Sequence, residues 1–249
     1  LFNLLLVAGG SALVAPLVTD KTLLKRDWPA SIIAVVALLV FIAFDGYLSR
    51  VEGLLLLAGF VVIIAMQISA GMKERNKLKA QNIVLEEDDE EGKKIAEAKY
   101  GWLVIQIVLS IACIIVGGNL TVDGATEIAY MIGLSETVVG LTIVAIGTSL
   151  PELVTSIMAT RRGENDIAIG NVVGSNLFNL LLILGVSSSI SPIAVASTAV
   201  TDVTILAVVT VLLLIPAAKE KFGRKMGASC IAGYAAYMVF ILAREGLIF

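Results

Sequence analysis

The stretch Gly147-Thr148-Ser149-Leu150-Pro151-Glu152 sets a carboxylate and two hydroxyls beside a proline inside an otherwise apolar run. Proline lacks an N–H and clashes with the carbonyl four residues back, so Pro151 is expected to free the Gly147 carbonyl and bend the helix. Leu153, Val154 and Ile157 follow Glu152 and place its carboxylate well inside an apolar span. A charge at that depth of a bilayer costs about 2.5–3.5 kcal/mol even on insertion scales, and such residues normally face a polar cavity or an ion. The next apolar run carries Gly170-Asn171-Val172-Val173-Gly174-Ser175-Asn176 and then Asn179. Ser175 and Asn179 stand four apart and share one helix face. Gly170 and Gly174 have the spacing that lets a second helix come close, which is their expected role. For Asn171 and Asn176 the sequence leaves helix-to-helix hydrogen bonding and ion contact equally open. Carboxylate, amide, hydroxyl and carbonyl oxygens together suit a hard cation such as Ca²⁺, which takes 6–8 oxygen ligands.

The chain has no histidine, so the commonest general base and transition-metal ligand are missing. Cys113 and Cys230 both fall in apolar runs and read as packing residues. No lysine lies in the apolar runs to activate Ser149 or Ser175, and an intramembrane serine enzyme is disfavoured.

The elements that must position these groups are helices. Hydrophobic residues make up 58% of the chain and mean hydropathy is +0.95, against roughly 45–50% apolar content in soluble domains. Eight long apolar runs lie near 1–18, 28–44, 53–72, 101–118, 136–160, 167–189, 202–218 and 226–243. Lipid tolerates no open sheet edge, so an all-α polytopic membrane protein is expected. Net charge is only −3 and no basic surface for nucleic acid is visible.

If every run crosses once, all but Arg50 and Arg244 of the 18 Lys and Arg residues fall on one side, which the positive-inside rule assigns to the cytoplasm. The hexamer Leu1-Phe2-Asn3-Leu4-Leu5-Leu6 recurs at Leu177-Phe178-Asn179-Leu180-Leu181-Leu182, and Pro16 recurs at Pro192. Gly53 and Gly59 recur at Gly227 and Gly233. The two copies run in opposite directions across the membrane, the inverted-repeat plan on which many secondary transporters build a midplane site. The expected division is 1–72 as the remainder of a first inverted repeat, 73–99 as a cytoplasmic acidic linker, and 100–249 as the second repeat, with its motif at about 134–182. Residues 130–176 precede the second copy, so about two further helices are expected before the first.

The segment from Gly140 through Thr148-Ser149-Leu150-Pro151-Glu152 to Gly170-Asn171-Val172-Val173-Gly174-Ser175-Asn176 resembles the second α-repeat of the cation/calcium exchangers, specifically prokaryotic sodium/calcium exchanger-like proteins. The resemblance implies an inverted-repeat exchanger fold of ten helices, about eight of them present here. It implies a secondary transporter exchanging Ca²⁺ for Na⁺ by alternating access, with a proton- or potassium-coupled cation exchanger as the alternative. An enzyme or a non-transporting membrane scaffold would be less in keeping with it. Carried over by motif position, Glu152 is the central carboxylate, Thr148 and Ser149 give hydroxyl or carbonyl oxygen, and Ala145 gives a backbone carbonyl. Ser175 and Asn179 come from the following helix, and Asn3 is the first copy's equivalent of Asn179. Some exchangers of this family carry Asp where Asn179 stands. The implied setting is the inner membrane of a prokaryotic cell, with the lipid bilayer, Ca²⁺ and Na⁺ as partners, no cofactor and no obligatory protein partner.

Six consecutive acids, Glu86-Glu87-Asp88-Asp89-Glu90-Glu91, repel one another and read as a solvated linker rather than a regulatory Ca²⁺ site. Asp27 and Asp202 precede apolar runs in the two copies and read as helix N-caps.

Overall fold

The computed structural model describes residues 1–19, 22–80, 90–133, 139, 143, 145–219, 222–244 and 246. Nine helices are described: α1 (Asn3–Val14), α2 (Leu23–Asp45), α3 (Arg50–Ala80), α4 (Glu90–Met131), α5 (Ala145–Thr148), α6 (Leu150–Arg161), α7 (Asn165–Ile190), α8 (Ser197–Ala218) and α9 (Arg224–Arg244). Six of them, α2, α3, α4, α7, α8 and α9, are long and apolar enough to cross a membrane. The other two apolar runs form shorter helices, because α1 stops before Pro16 and the run near 136–160 is broken at Ser149. The chain is a polytopic all-α membrane protein.

Two small pairings interrupt the helical pattern. Strand β1 (Tyr47–Leu48) runs antiparallel to β2 (Ile193–Ala194), with Leu48 opposite Ile193. A single bridge joins Leu17 to Phe222. By the spacing of the repeat, Leu17 answers to Ile193 and Phe222 to Leu48, so one junction is made twice, once with each copy's residue in either place.

The same exchange of partners runs through the packing. Helix α1 packs on α9, and α3 packs on the second half of α7. Phe2 meets Tyr234 edge-on at 5.5 Å and 87°, and Phe178 meets Phe60 at 6.0 Å and 81°. A Cβ on Gly9 would lie 3.0 Å from the Gly227 carbonyl, and one on Gly227 would lie 2.7 Å from the Gly9 carbonyl. In the matching place a Cβ on Gly53 would lie 2.9 Å from the Gly185 carbonyl and run into the Ser188 hydroxyl. Lipid tails are as apolar as leucine, so helices in a bilayer associate through such close backbone approach rather than through expulsion of water. The core around these junctions holds Leu4, Val7, Ala12, Val35, Leu38, Val173 and Leu181. Helices α2 and α8 also pack together: the Trp28 indole N–H, near the start of α2, donates to the Thr210 carbonyl well along α8 at 2.9 Å.

Several sequence expectations change here. The close helix contact falls on Gly9, Gly227, Gly53 and Gly185; a Cβ on Gly174 would meet nothing within 4 Å, and one on Gly170 only Leu23 at 4.0 Å. Asp27 and Asp202 cap no helix. Helix α2 already begins at Leu23 and α8 at Ser197, so both acids sit inside helices and bind the neighbouring helix instead. Asp27 takes the Arg26 guanidinium at 2.8 Å and the Gln67 amide of α3 at 3.2 Å, while Asp202 takes Arg244 of α9 at 2.9 Å. Cys230 is buried, but Cys113 is exposed because the apolar span of α4, Tyr100–Met131, is not buried inside the structure. Helix α3 runs on to Ala80 and α4 starts at Glu90, so helix occupies part of the stretch 73–99. Residues 86–89 of the acidic run, and Gly140, lie outside the described residues.

Candidate functional site

The carboxylate stands at a helix break. Helix α5 ends at Thr148, Ser149 takes φ −108° and ψ 6°, and α6 resumes at Leu150 with Pro151 in its first turn. Proline is accepted there because a first-turn N–H has no intrahelical partner anyway. The Ser149 N–H donates to the Ile146 carbonyl at 3.1 Å, and its own carbonyl accepts from Leu153 N–H at 3.1 Å, so the break is a single residue wide. Gly147 lets α5 lie against α4, since a Cβ there would overlap Val122.

Glu152 therefore opens α6. Its Oε2 is sealed from the surface and has no hydrogen-bond partner among the described residues. An unpartnered buried carboxylate oxygen is costly unless something neutralises it. Helix α7 holds the main chain at this point. The Asn171 side-chain N–H₂ donates both to the Glu152 carbonyl at 3.1 Å and to the Ser156 hydroxyl at 2.9 Å. One amide thereby ties α7 to the turn that carries the carboxylate, which decides Asn171 as a helix-to-helix bond. Ser156 is fully buried, and its carbonyl accepts from the Thr160 hydroxyl at 2.8 Å. Neither Ser156 nor Thr160 stands out in the sequence, although Glu152, Ser156 and Thr160 recur every four residues along α6.

A second polar pair joins the two copies. Asn3, buried on α1, donates its side-chain amide to the Ser175 hydroxyl of α7 at 2.8 Å, and its Oδ1 is buried without a partner among the described residues. Ser175 in turn donates to the Val172 carbonyl at 3.3 Å. Both copies of the hexamer are π-helical at this point, over Asn3–Val7 and Phe178–Ile183, and such segments recur at functional sites. Helix α6 packs on α1 beside this pair, where a Cβ on Gly10 would lie 3.4 Å from Leu153.

The structure thus brings Asn3 and Ser175 into direct contact and sets α6, with Glu152, against the same two helices. Ser149 is half-buried at the break, and Thr148 is exposed beside it. Ala145 begins α5. Asn179 is exposed one turn beyond Ser175. Asn176 is buried, and its amide nitrogen has no partner among the described residues. Among the described residues no three His, Cys, Asp or Glu side chains cluster. The donors gathered here are one carboxylate with amides, hydroxyls and main-chain carbonyls, which suits hard cations and not soft ones.

The family described as sodium/calcium exchanger protein matches residues 1–69 and 102–243. The inner membrane protein YrbG of Escherichia coli K12 is 37% identical over 197 residues, covering 77% of this chain and 58% of YrbG. The sodium/calcium exchanger MaX1 of Methanosarcina acetivorans is 37% identical over 140 residues, covering 55% of this chain and 40% of MaX1. The solved structure of the sodium-calcium exchanger NCX_Mj soaked with zero Na⁺ and Ca²⁺ superposes with a TM-score of 0.74 at 27% identity, covering 98% of this chain and 72% of that one. The chain thus spans well under two thirds of YrbG and of MaX1. Matched over most of its length, the chain belongs to the sodium/calcium exchanger protein family.

Proposed function

We propose that this chain serves a secondary transporter that exchanges Ca²⁺ for Na⁺ by alternating access, with Glu152 as the central ligand. The observation that carries the reading is the buried Glu152 Oε2, without a hydrogen-bond partner among the described residues, at a helix break. The buried Asn3 Oδ1, on the opposite copy's α1, supplies a second vacant acceptor. The ligand set we assign is Glu152 with oxygens of Ser149, Thr148, Ser175 and Asn3, the Ala145 carbonyl, and Asn179 at the exposed edge. Two ions that share these oxygens exclude one another, and mutual exclusion across two access states is sufficient for antiport.

The division into 1–72, 73–99 and 100–249, the inner membrane of a prokaryotic cell, and the cytoplasmic side for 73–99 belong to the same proposal. The lysine and arginine asymmetry supports the orientation. The test is Glu152→Gln in the exchanger at its full natural length, reconstituted in vesicles. Na⁺-driven Ca²⁺ uptake is expected to vanish while expression and insertion persist; uptake at the unsubstituted rate would remove Glu152 from the site. A pH gradient or K⁺ in place of Na⁺ in the same assay separates proton- or potassium-coupled exchange.

A further inference from the structure

Between α2 and α3 lies an open cavity of about 610 Å³, within the ~300–1,000 Å³ range of ligand sites. Its walls are apolar, with Ala30 and Ala37 on α2, Gly59 and Met66 on α3, and Leu181 of α7 among them. One end carries Lys25 and Arg26. Arg26 is ion-paired with Asp27 at 2.8 Å, and Gln67 completes that cluster, so the exposed Lys25 leaves this end with a net positive charge among the described residues. From Lys25 to Phe41 the groove follows α2 for about 24 Å at 1.5 Å per residue, longer than the half of a ~30 Å hydrocarbon core that one leaflet fills.

The second copy has a counterpart. A cavity of about 380 Å³ lies between α8 and α9 and ends at Asp202 and Arg244. There the two charges are bound to each other at 2.9 Å, and no further lysine or arginine among the described residues lines the cavity. Among the described residues, none of helices α4, α5 and α6 lines either cavity. By the symmetry of the two copies, any helices placed before the first copy as α4–α6 are placed before the second would leave both open as well. Lipid is what remains to fill an apolar groove on a membrane-facing surface. A cation at its mouth selects the headgroup, since basic pockets between transmembrane helices bind anionic lipid heads.

We propose that the α2–α3 groove is a binding site for an anionic phospholipid, with its phosphate at Lys25 and an acyl chain laid along Ala37 and Gly59. The α8–α9 groove takes no such preference. The test is native mass spectrometry of the exchanger at its full natural length, purified from vesicles that mix phosphatidylglycerol with phosphatidylcholine. Lys25→Gln is expected to weaken phosphatidylglycerol retention about fivefold, equivalent to roughly 1 kcal/mol for one cationic side chain at an anionic surface, while Lys25→Arg retains it. Ala37→Trp, which fills the groove without touching charge, is expected to abolish retention, and Leu206→Trp in the second groove to leave it unchanged. Equal retention of the two lipids by the unsubstituted protein would overturn the proposal, as would phosphatidylglycerol retention unaltered in both Lys25→Gln and Ala37→Trp.

Discussion

Asn171 holds two acceptors on α6 at once, and one of them is the main chain of Glu152. Replacing it with alanine strips the buried Ser156 hydroxyl of a donor and frees the turn that aims the carboxylate. Single side-chain hydrogen bonds between helices in a bilayer average about 0.6 kcal/mol. Asn171→Ala is therefore expected to lower stability by about 1 kcal/mol, read by thermal unfolding in detergent. It should also raise the Ca²⁺ concentration for half-maximal transport, whereas a purely structural role would leave that value in place. At this scale the buried carboxylate at the helix break was legible, because a carboxylate beside a proline in an apolar run is too costly to keep without an ion or a polar cavity to meet it. Asn171 was visible as polar but undecided, since the same amide can bond a helix or an ion and only the facing residue settles which. Ser156 was hidden because a serine inside a helix is commonplace until its neighbours every fourth residue are considered together.

Single elements show where spacing misleads. Gly170 and Gly174 have the right separation for a tight helix contact, yet Gly174 faces open space. Spacing on one helix shows which residues share a side, but the side that meets a partner depends on a second helix far away in sequence. The glycines that do pack stand in different helices from each other. Gly53→Ala and Gly227→Ala are expected to destabilise by about 1–3 kcal/mol each through overpacking. Gly174→Ala should be neutral or stabilising by up to about 1 kcal/mol, since alanine is the better helix former. Thermal unfolding in one detergent compares the three, and a Gly174→Ala loss as large as that of Gly53→Ala would contradict the packing described. The aspartates fail as caps for a related reason: helices α2 and α8 start four or more residues before them, and boundaries are the least certain feature of a periodic pattern. Strands β1 and β2, two residues each, are too short to leave any alternation in the sequence.

Across the whole molecule, inversion was readable because a duplicated hexamer and an uneven charge count pointed the same way. Which helices would touch was not, because the junctions at Gly9 with Gly227, Gly53 with Gly185, Phe2 with Tyr234 and Phe60 with Phe178 each pair one copy with the other over more than a hundred residues of chain. The two tryptophans report on the arrangement. Trp28 is 3% exposed and hydrogen-bonded to Thr210, whereas Trp102 on α4 is 60% exposed. Phospholipids brominated on their acyl chains should quench most of the Trp102 emission in Trp28→Phe and little of the Trp28 emission in Trp102→Phe. Equal quenching in both would mean that α4 is covered.

The meeting of Gly9 with Gly227 also bears on how the protein is made. The first described helix leans on the last, so Gly9 cannot meet Gly227 until the ribosome has made the chain through α9. Contacts this distant in sequence are the slow ones to close. A product that lost α9 would leave Phe2 and Gly9 uncovered in the lipid, and quality control could recognise the unfinished protein by that bare face.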